Sequence, residues 1–273
     1  MRRLNYFQNR PKLPNIDVIT YLERLGLKRE APSLDYLKKI QRVHQLEIPV
    51  ENLSLHFGKS VPWDIHQIFN KVMPGQRGGL PLELNYLLFH LLNQLGFSCI
   101  ISATSLWDGK AFGSPYQHMV ILVELEEKLW LVDVGLTENL YSPKEVLEHK
   151  LQVDFNRYMG LFEDADGNWI LKKSHDMSSF STIYKFSLSE TQGIEFLQMH
   201  QFYQTDRQSS YKESKLITKL FPEGKLSLTD TSLHGVIEGE QQEEKILNED
   251  AFLSKLEQYF NISLQDLLQN NRG

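Results

Sequence analysis

This chain of 273 residues carries a single cysteine, Cys99. One thiol excludes an intrachain disulfide and a cysteine-rich metal site, and it agrees with a reducing compartment. Basic charge is also sparse: the formal net charge is -6, and no dense Lys/Arg cluster marks a nucleic-acid-binding face. Long apolar runs are missing, so no segment is expected to span a bilayer. Met1-Arg2-Arg3-Leu4 opens like a secretory leader, but Asn5, Gln8, Asn9, Arg10 and Lys12 interrupt it before any apolar stretch develops. These absences point to a soluble, cytoplasmic protein that binds neither nucleic acid nor membrane. Internal repeats and low-complexity linkers are lacking too. What is present is ordinary globular composition, 41% hydrophobic and 23% charged, enough for a sizeable core.

The first third reads as helical. Ile19, Leu22 and Leu25 recur at helical spacing, as do Leu34, Leu37, Ile40 and Val43 behind a Ser33 cap. A helix from Asp64 carries Ile65, Ile68, Phe69 and Val72 on one face and stops at Pro74-Gly75. The clearest helix runs from Pro81 to Leu95, with a leucine stripe and Gly96 placed to end it. Beyond Gly96 the period changes to two. Phe97 to Ala103, His118 to Leu125, Leu129 to Val134 and Phe180 to Leu188 are expected strands. Turns are expected at Glu126-Glu127-Lys128 and at 164–168. A short helix at 194–199, strands at 215–220 and 225–228 flanking Pro222-Glu223-Gly224, and a last helix from Asn248 complete the pattern. The expected fold is α+β: a helical N-terminal bundle (1–96), a β-rich, barrel-like middle (97–190) and a small α/β lid (191–273).

Three stretches could carry chemistry. In Arg77-Gly78-Gly79-Leu80-Pro81-Leu82-Glu83-Leu84-Asn85 a glycine pair precedes a helix start, where backbone can approach closely and N–H groups point outward. Gln117-His118-Met119-Val120 puts a histidine at a strand start. Leu131-Val132-Asp133-Val134-Gly135 puts an aspartate in an apolar strand, a costly position without a partner. Pairing of the two strands could bring Asp133 near His118. Each feature also has a plain structural reading. Pro81 is a good first helical residue, and Glu83 suits the positive end of the helix dipole. Arg77 is expected to pair with a carboxylate. Glu51, Asn52 and Asn85 are expected as buried hydrogen-bonders, Cys99 as a small buried hydrophobe, and His44 and His56 as local structural residues.

Taken together, the stretches resemble the arylamine N-acetyltransferase family. The family pattern is Arg-Gly-Gly-x-Cys-x-Glu-x-Asn, a long helix, a histidine-bearing strand and Val-Asp-Val-Gly-Phe-Gly. This chain matches at Arg77, Gly78, Gly79, Glu83, Asn85, His118, Val132, Asp133, Val134 and Gly135. Ile48-Pro49-Val50-Glu51-Asn52-Leu53 is close to the family's Ile-Pro-Phe-Glu-Asn-Leu, and Thr205, Ser209 and Tyr211 fit a degraded Ser-Thr-x-Pro-x-Ser-x-Phe. The resemblance covers most of the chain and implies a cysteine-protease-like core. In the family a cysteine attacks acetyl-CoA, a histidine takes its proton, an aspartate orients the histidine, and the acetyl group passes to an arylamine. By position His118 and Asp133 match the second and third members. The nucleophile falls on Pro81, which has no side-chain heteroatom.

Two further departures touch the family's substrate and coenzyme contacts. Phe-Gly becomes Leu136-Thr137, and the proline of the C-terminal motif becomes Arg207. Leu136, Thr137, Thr205 and Ser209 are therefore the candidate binding residues. The resemblance implies acetyl-CoA or CoA as substrate or ligand, with no covalently bound cofactor and no metal. Three functions follow. The favoured one is a homologue without the family's ping-pong chemistry that binds a small molecule, CoA or a protein, an active paralogue being a natural partner. The second is direct acetyl transfer with His118 as general base. The third is thiol-free hydrolysis by a His-activated water.

Overall fold

The computed structural model describes residues 13–136 and 140–268. Helix α1 (Val18–Arg24) starts at Asp17, whose carboxylate accepts hydrogen bonds from the Ile19 and Thr20 amides. Its inward face is Tyr21 and Leu22, with Leu25 beyond, whereas Ile19 is 70% exposed. The helix is where the spacing predicts it, but Tyr21 takes the core position expected for Ile19. Helix α2 (Leu34–Glu47) is capped by Ser33, and strand β1 (Val50–Glu51) and helix α3 (Leu53–His56) follow. Helix α4 (Ile65–Val72) is capped by Asp64. Helix α5 (Pro81–Leu95) ends at Gly96, whose φ of 95° turns the chain back so that its N–H reaches the Leu92 and Asn93 carbonyls.

Helix α5 is apolar nearly all round because two layers cover it. The helices pack on one side. On the other lie strands β2 (Ser98–Leu106) and β3 (His118–Leu125), which belong to an antiparallel sheet with β4 (Lys128–Val132), β5 (Lys144–Glu145), β6 (Gln152–Asp154), β7 (Arg157–Glu163), β8 (Trp169–Ser174) and β9 (Ser181–Phe186). The strand order is β5-β4-β3-β2-β9-β8-β7-β6, a nearly closed, barrel-like sheet. Its outer strands approach through one side chain: the Glu145 N–H donates to Gln152 Oε1 at 2.8 Å, and Gln152 Nε2 donates to the Glu145 carbonyl at 2.9 Å. An amide side chain thus stands in for backbone pairing at the seam. Strands β2 and β3 are buried on both faces. Cys99, Ile101, Met119, Ile121 and Val123 join the core under α5, while Ile100, Val120 and Leu122 join the barrel interior. This is why β3 runs apolar without a break from Met119 to Val123.

The β3–β4 connection is tighter than expected. Lys128 already pairs with Leu125, and the two turn residues Glu126 and Glu127 have φ of 53° and 61°, as a type I′ hairpin requires. At the other end β4 stops at Val132, so Asp133 lies just past the strand rather than within it. The reason is side-chain capture of the backbone. The Val134 N–H donates to Asn85 Oδ1, and the Asp133 carbonyl accepts from Gln41 and Gln45 on α2.

The C-terminal part begins with a 3₁₀ turn (Gly193–Phe196) that leads into α6 (Leu197–Thr205), so the helix expected at 194–199 runs further. A second antiparallel sheet has the order β1-β10-β11-β12-β13, with β10 (Leu216–Phe221), β11 (Gly224–Thr229), β12 (Ser232–Ile237) and β13 (Glu240–Lys245). Helix α7 (Glu249–Phe260), capped by Asn248, lays Phe252, Leu256 and Phe260 into the core of this sheet, and α8 (Leu264–Leu268) follows. No helix among the described residues is long and apolar enough to cross a membrane.

Candidate active site

The start of α5 is built around Glu83. Pro81 occupies the first helical position, where an amide hydrogen would have no helical partner. The Glu83 carboxylate reaches back to accept from the Leu80 N–H at 2.7 Å. It also accepts from Lys71 Nζ at 2.6 Å and His200 Nε2 at 3.3 Å. Burial opposes ionisation of this fully enclosed acid, but Lys71 and His200 outweigh it, and the Glu83 pKa falls to about 2. One turn earlier Arg77 pairs with Glu51 at 2.8 Å and touches Ser54, which is the carboxylate partner its position predicts. Gly78 passes so close to the Pro49 carbonyl that a Cβ there would lie 2.0 Å from the oxygen. The Gly-Gly pair therefore serves close packing of backbone here.

Across from this helix start, His118 and Asp133 meet. Continuing the β3–β4 register beyond Ile121↔Val132 sets Gly135 opposite His118 and puts Asp133 on the same face, one diagonal step away. His118 Nε2 donates to Asp133 Oδ2 at 2.9 Å. The other carboxylate oxygen accepts from Asn85 Nδ2 at 2.8 Å and from the Gly135 N–H at 2.9 Å. Burial disfavours the Asp133 anion, yet the histidine, Asn85 and Gly135 together hold its pKa below the usual carboxylate value. An ionised acceptor fixes the neutral imidazole proton on Nε2 and leaves Nδ1 as the basic nitrogen. That Nδ1 is buried and has no hydrogen-bond partner.

Pro81 closes the third side. A Cβ on Gly135 would lie 2.9 Å from Pro81 Cα and 2.6 Å from its carbonyl oxygen. The helix start, the Asp133–Gly135 turn and the β3 start are therefore in contact, and only glycine fits between them. Thr104, paired with His118 across β2 and β3, and Tyr184, whose ring lies 5.8 Å from the imidazole, also face this point. Thr104 Oγ1 and the Tyr184 hydroxyl are, like His118 Nδ1, buried without partners. Burial and the Asp133 carboxylate raise the Tyr184 pKa well above the ordinary phenol value.

The site is enclosed. His118 is fully buried and Asp133 is 2% exposed. A cavity of about 10 Å³ beside Asp133, Leu136 and Tyr184 has room on the order of one water molecule and none for a ligand. The strand start is held from the C-terminal part: the Tyr203 hydroxyl donates to the Gln117 carbonyl at 2.6 Å, and the Tyr116 hydroxyl donates to Glu195 at 3.1 Å.

Of the candidate binding residues, Leu136 packs at the rim of the barrel core, and Thr137 lies outside the described residues. Thr205 Oγ1 donates to the Gln201 carbonyl within α6. Ser209 is buried, with its hydroxyl given to the Tyr203 carbonyl. Asn52 ties β10 to the first third by donating to the Tyr211 and Ser214 carbonyls and accepting from the Leu216 N–H. Among the described residues no three His, Cys, Asp or Glu side chains converge to hold a metal ion. Sequence reasoning missed Lys71, His200, Thr104, Tyr184, Gln41 and Gln45. Their partners are distant in the chain, and no local spacing signals them.

The order of these parts decides the family: a model for N-acetyltransferase matches residues 33–268. The chain belongs to the arylamine N-acetyltransferase family. Human arylamine N-acetyltransferase 1 is 26% identical over 291 residues, covering 94% of this chain and 98% of the human protein. Among solved structures, an arylamine N-acetyltransferase of Mycobacterium smegmatis superposes with a TM-score of 0.84 at 23% identity, over 93% of this chain and 95% of that one. The Mycobacterium marinum arylamine N-acetyltransferase, solved in complex with CoA, gives a TM-score of 0.83 at 21% identity over 93% and 95% of the two chains. The shared fold is the α+β arrangement with a cysteine-protease-like core.

Proposed function

We propose that this arylamine N-acetyltransferase homologue does not form the family's acetyl-enzyme and acts by binding a ligand or partner. The observation that carries the proposal is Pro81 at the first position of α5, where the resemblance puts the nucleophile, together with a buried and unpartnered His118 Nδ1. Ping-pong transfer needs a heteroatom there to attack the thioester carbonyl, take the acetyl group and release CoA. A pyrrolidine ring offers none. Loss of a triad nucleophile lowers turnover by about a million-fold. Enclosure of the histidine supports the same reading, since neither acetyl donor nor amine fits beside it in this conformation. CoA or acetyl-CoA is the proposed small-molecule ligand, by analogy with the CoA-bound M. marinum relative. Leu136 and Thr137 are its proposed contacts. Thr205 and Ser209 would have to surrender internal hydrogen bonds to join them. A protein partner such as an active paralogue, and a cytoplasmic location, complete the proposal.

Intact-mass spectrometry after incubation with acetyl-CoA tests it. The expected result is an unchanged mass, and a stoichiometric acetyl adduct on a residue of this site would sink the proposal. Calorimetric titration with CoA then separates a ligand-binding role from a purely partner-binding one.

One observation favours a second reading. The imidazole is oriented by Asp133 with its basic nitrogen free, which is the arrangement of a general base. With the site opened to admit the reactants, His118 would take a proton from an amine attacking acetyl-CoA directly, or from a water attacking an activated ester. CoA release that depends on an amine acceptor and disappears in His118→Ala would support direct transfer. Release with water alone would support hydrolysis.

A further inference from the structure

A cavity of about 920 Å³ lies on the other side of the α5 start, between α3, α4 and α8. Its lining does not include His118, Asp133 or Pro81. We propose that this cavity is a second ligand site, for a small organic oxyanion bearing a phosphate or carboxylate group, and that Arg77 is its anchoring residue. Four observations support this. Lys59, Lys71 and Arg77 bring three cationic side chains to the wall, against one acid, Asp266. Arg77 is only 5% exposed, and its Nε is buried with no partner, although Nη2 is engaged by Glu51 and Ser54. An unsatisfied guanidinium N–H at that depth is costly, and a small outward shift of the side chain would let an acceptor in the cavity pair with it. The side-chain amides of Gln67 and Asn70 line the same space and add donors. Finally, Asp266 already accepts from the Ser263 N–H and hydroxyl at 2.7 Å, so its charge is partly spent on capping.

The electrostatics limit what can bind. Lys71 and Arg77 each have a carboxylate behind them, Glu83 and Glu51. The cavity is therefore a surface of oriented donors with little net charge, suited to a small anion held by directed hydrogen bonds. Guanidinium geometry matches phosphate and carboxylate oxygens alike.

The test uses the whole chain and calorimetric titration with inorganic pyrophosphate, citrate and, separately, CoA. We expect at least one of the first two to bind at a stoichiometry of one. Preference for pyrophosphate identifies a phosphate ligand, and preference for citrate a carboxylate. Arg77→Lys keeps a cation for Glu51 but removes the planar guanidinium donors, and should weaken binding about tenfold, the size of one charge-assisted hydrogen bond. Asn70→Ala at the half-buried wall should weaken it several-fold and serves as the decisive variant if Arg77→Lys does not fold. His118→Ala should bind as well as the parent, which separates this site from the one beside Pro81. No binding of either oxyanion at millimolar concentration, or binding untouched by both wall variants, would overturn the proposal.

Discussion

Replacing Pro81 with cysteine asks whether the His118–Asp133 pair is poised at the position where the resemblance puts the family's thiol. The change should be tolerated. The first helical position needs no particular side chain, the restored amide hydrogen is one the first turn leaves unpaired in any case, and the Glu83 bond to Leu80 N–H is untouched. Loss of the rigid ring should cost about 0.4–1 kcal/mol through the unfolded chain. Two effects then compete for the thiol. Burial raises its pKa, while the helix N-terminus and an imidazole able to accept its proton on Nδ1 lower it. If the second wins and the pKa falls from about 8.5 to about 6.5, the thiolate fraction at neutral pH rises from about 3% to about 75%. The alkylation rate would rise far less. Nucleophilicity drops with basicity by about eightfold over the same range, leaving a net gain of roughly threefold. The rate at one pH is therefore a poor measure, and enclosure of the site would slow any alkylating agent further. The pH dependence of thiolate ultraviolet absorbance reads the pKa directly and needs no access. We expect a midpoint below 7.5 in Pro81→Cys that moves up in Pro81→Cys/His118→Ala, since removal of the imidazole removes the proton acceptor. Cys99 is buried in the core under α5 and is subtracted with the parent protein. An ordinary thiol midpoint, or one indifferent to His118, would refute the placement of a working pair at this site. Arylamine acetylation should stay weak or absent, because Leu136, Thr137 and Arg207 also depart from the family pattern.

Asn85→Ala should cost about 2–4 kcal/mol in urea denaturation, because Asp133, the Val134 N–H and the Met119 carbonyl all lose a buried partner at once. Glu83→Gln should cost about 3–5 kcal/mol by stranding the buried Lys71. Because the Glu83 pKa sits near 2, its stabilising contribution should be complete above the unfolded carboxylate range near pH 4.5 and fade as pH falls towards 2. Acid sensitivity should begin earlier, at His44. Burial and the nearby Arg24 depress that imidazole to about 3, so from pH 6.5 downward the unfolded chain binds a proton that the folded chain refuses. His44 alone contributes about 1.4 kcal/mol per pH unit to the loss over that window. His44→Phe should flatten the loss, and an unchanged pH profile between 6.5 and 4.5 would refute the assignment.

Much of the fold is legible because period and punctuation agree. Ser33, Asp64, Pro81, Gly96 and Asn248 each bound the helix they mark. The alternation after Gly96 marks the barrel strands. The failures have particular causes. Strand β13 reads Glu-Gln-Gln-Glu-Glu-Lys and is almost wholly exposed at the edge of its sheet. Backbone pairing to β12 alone makes it a strand, so no alternation exists to be read. The misplacement of Ile19 arises because Tyr21, Leu22 and Leu25 define an inward stripe that counting aliphatics alone does not reveal. In the site, the meeting of His118 and Asp133 was legible through the strand pairing and the family resemblance, and Asn85 only as a buried hydrogen-bonder. The cluster of Lys71, Glu83 and His200 was not, since His200 lies 117 residues from its carboxylate partner. Only tertiary packing brings such charges together, and only burial makes their pairing obligatory.

The same packing bears on what a retained histidine–aspartate pair means. Asp133 holds His118, but it also holds Asn85 and the Gly135 N–H, and Asn85 in turn fixes Val134 and the Met119 carbonyl. Gln41 and Gln45 fasten the Asp133 carbonyl from α2. Removing the aspartate would leave several buried donors unpaired, a penalty of kilocalories whether or not any reaction takes place. Pro81 stands differently. Nothing folds against a thiol at the first position of a helix, and proline is already suited to that position. On the proposed reading, the nucleophile position is thus the one member of the constellation that can be exchanged without disturbing the fold, while its two partners are held by structural demands of their own. Persistence of His118 and Asp133 is what this architecture requires with or without acetyl transfer. The deciding measurement must therefore concern the chemistry at Pro81 and the basicity of His118 Nδ1, not the presence of the pair.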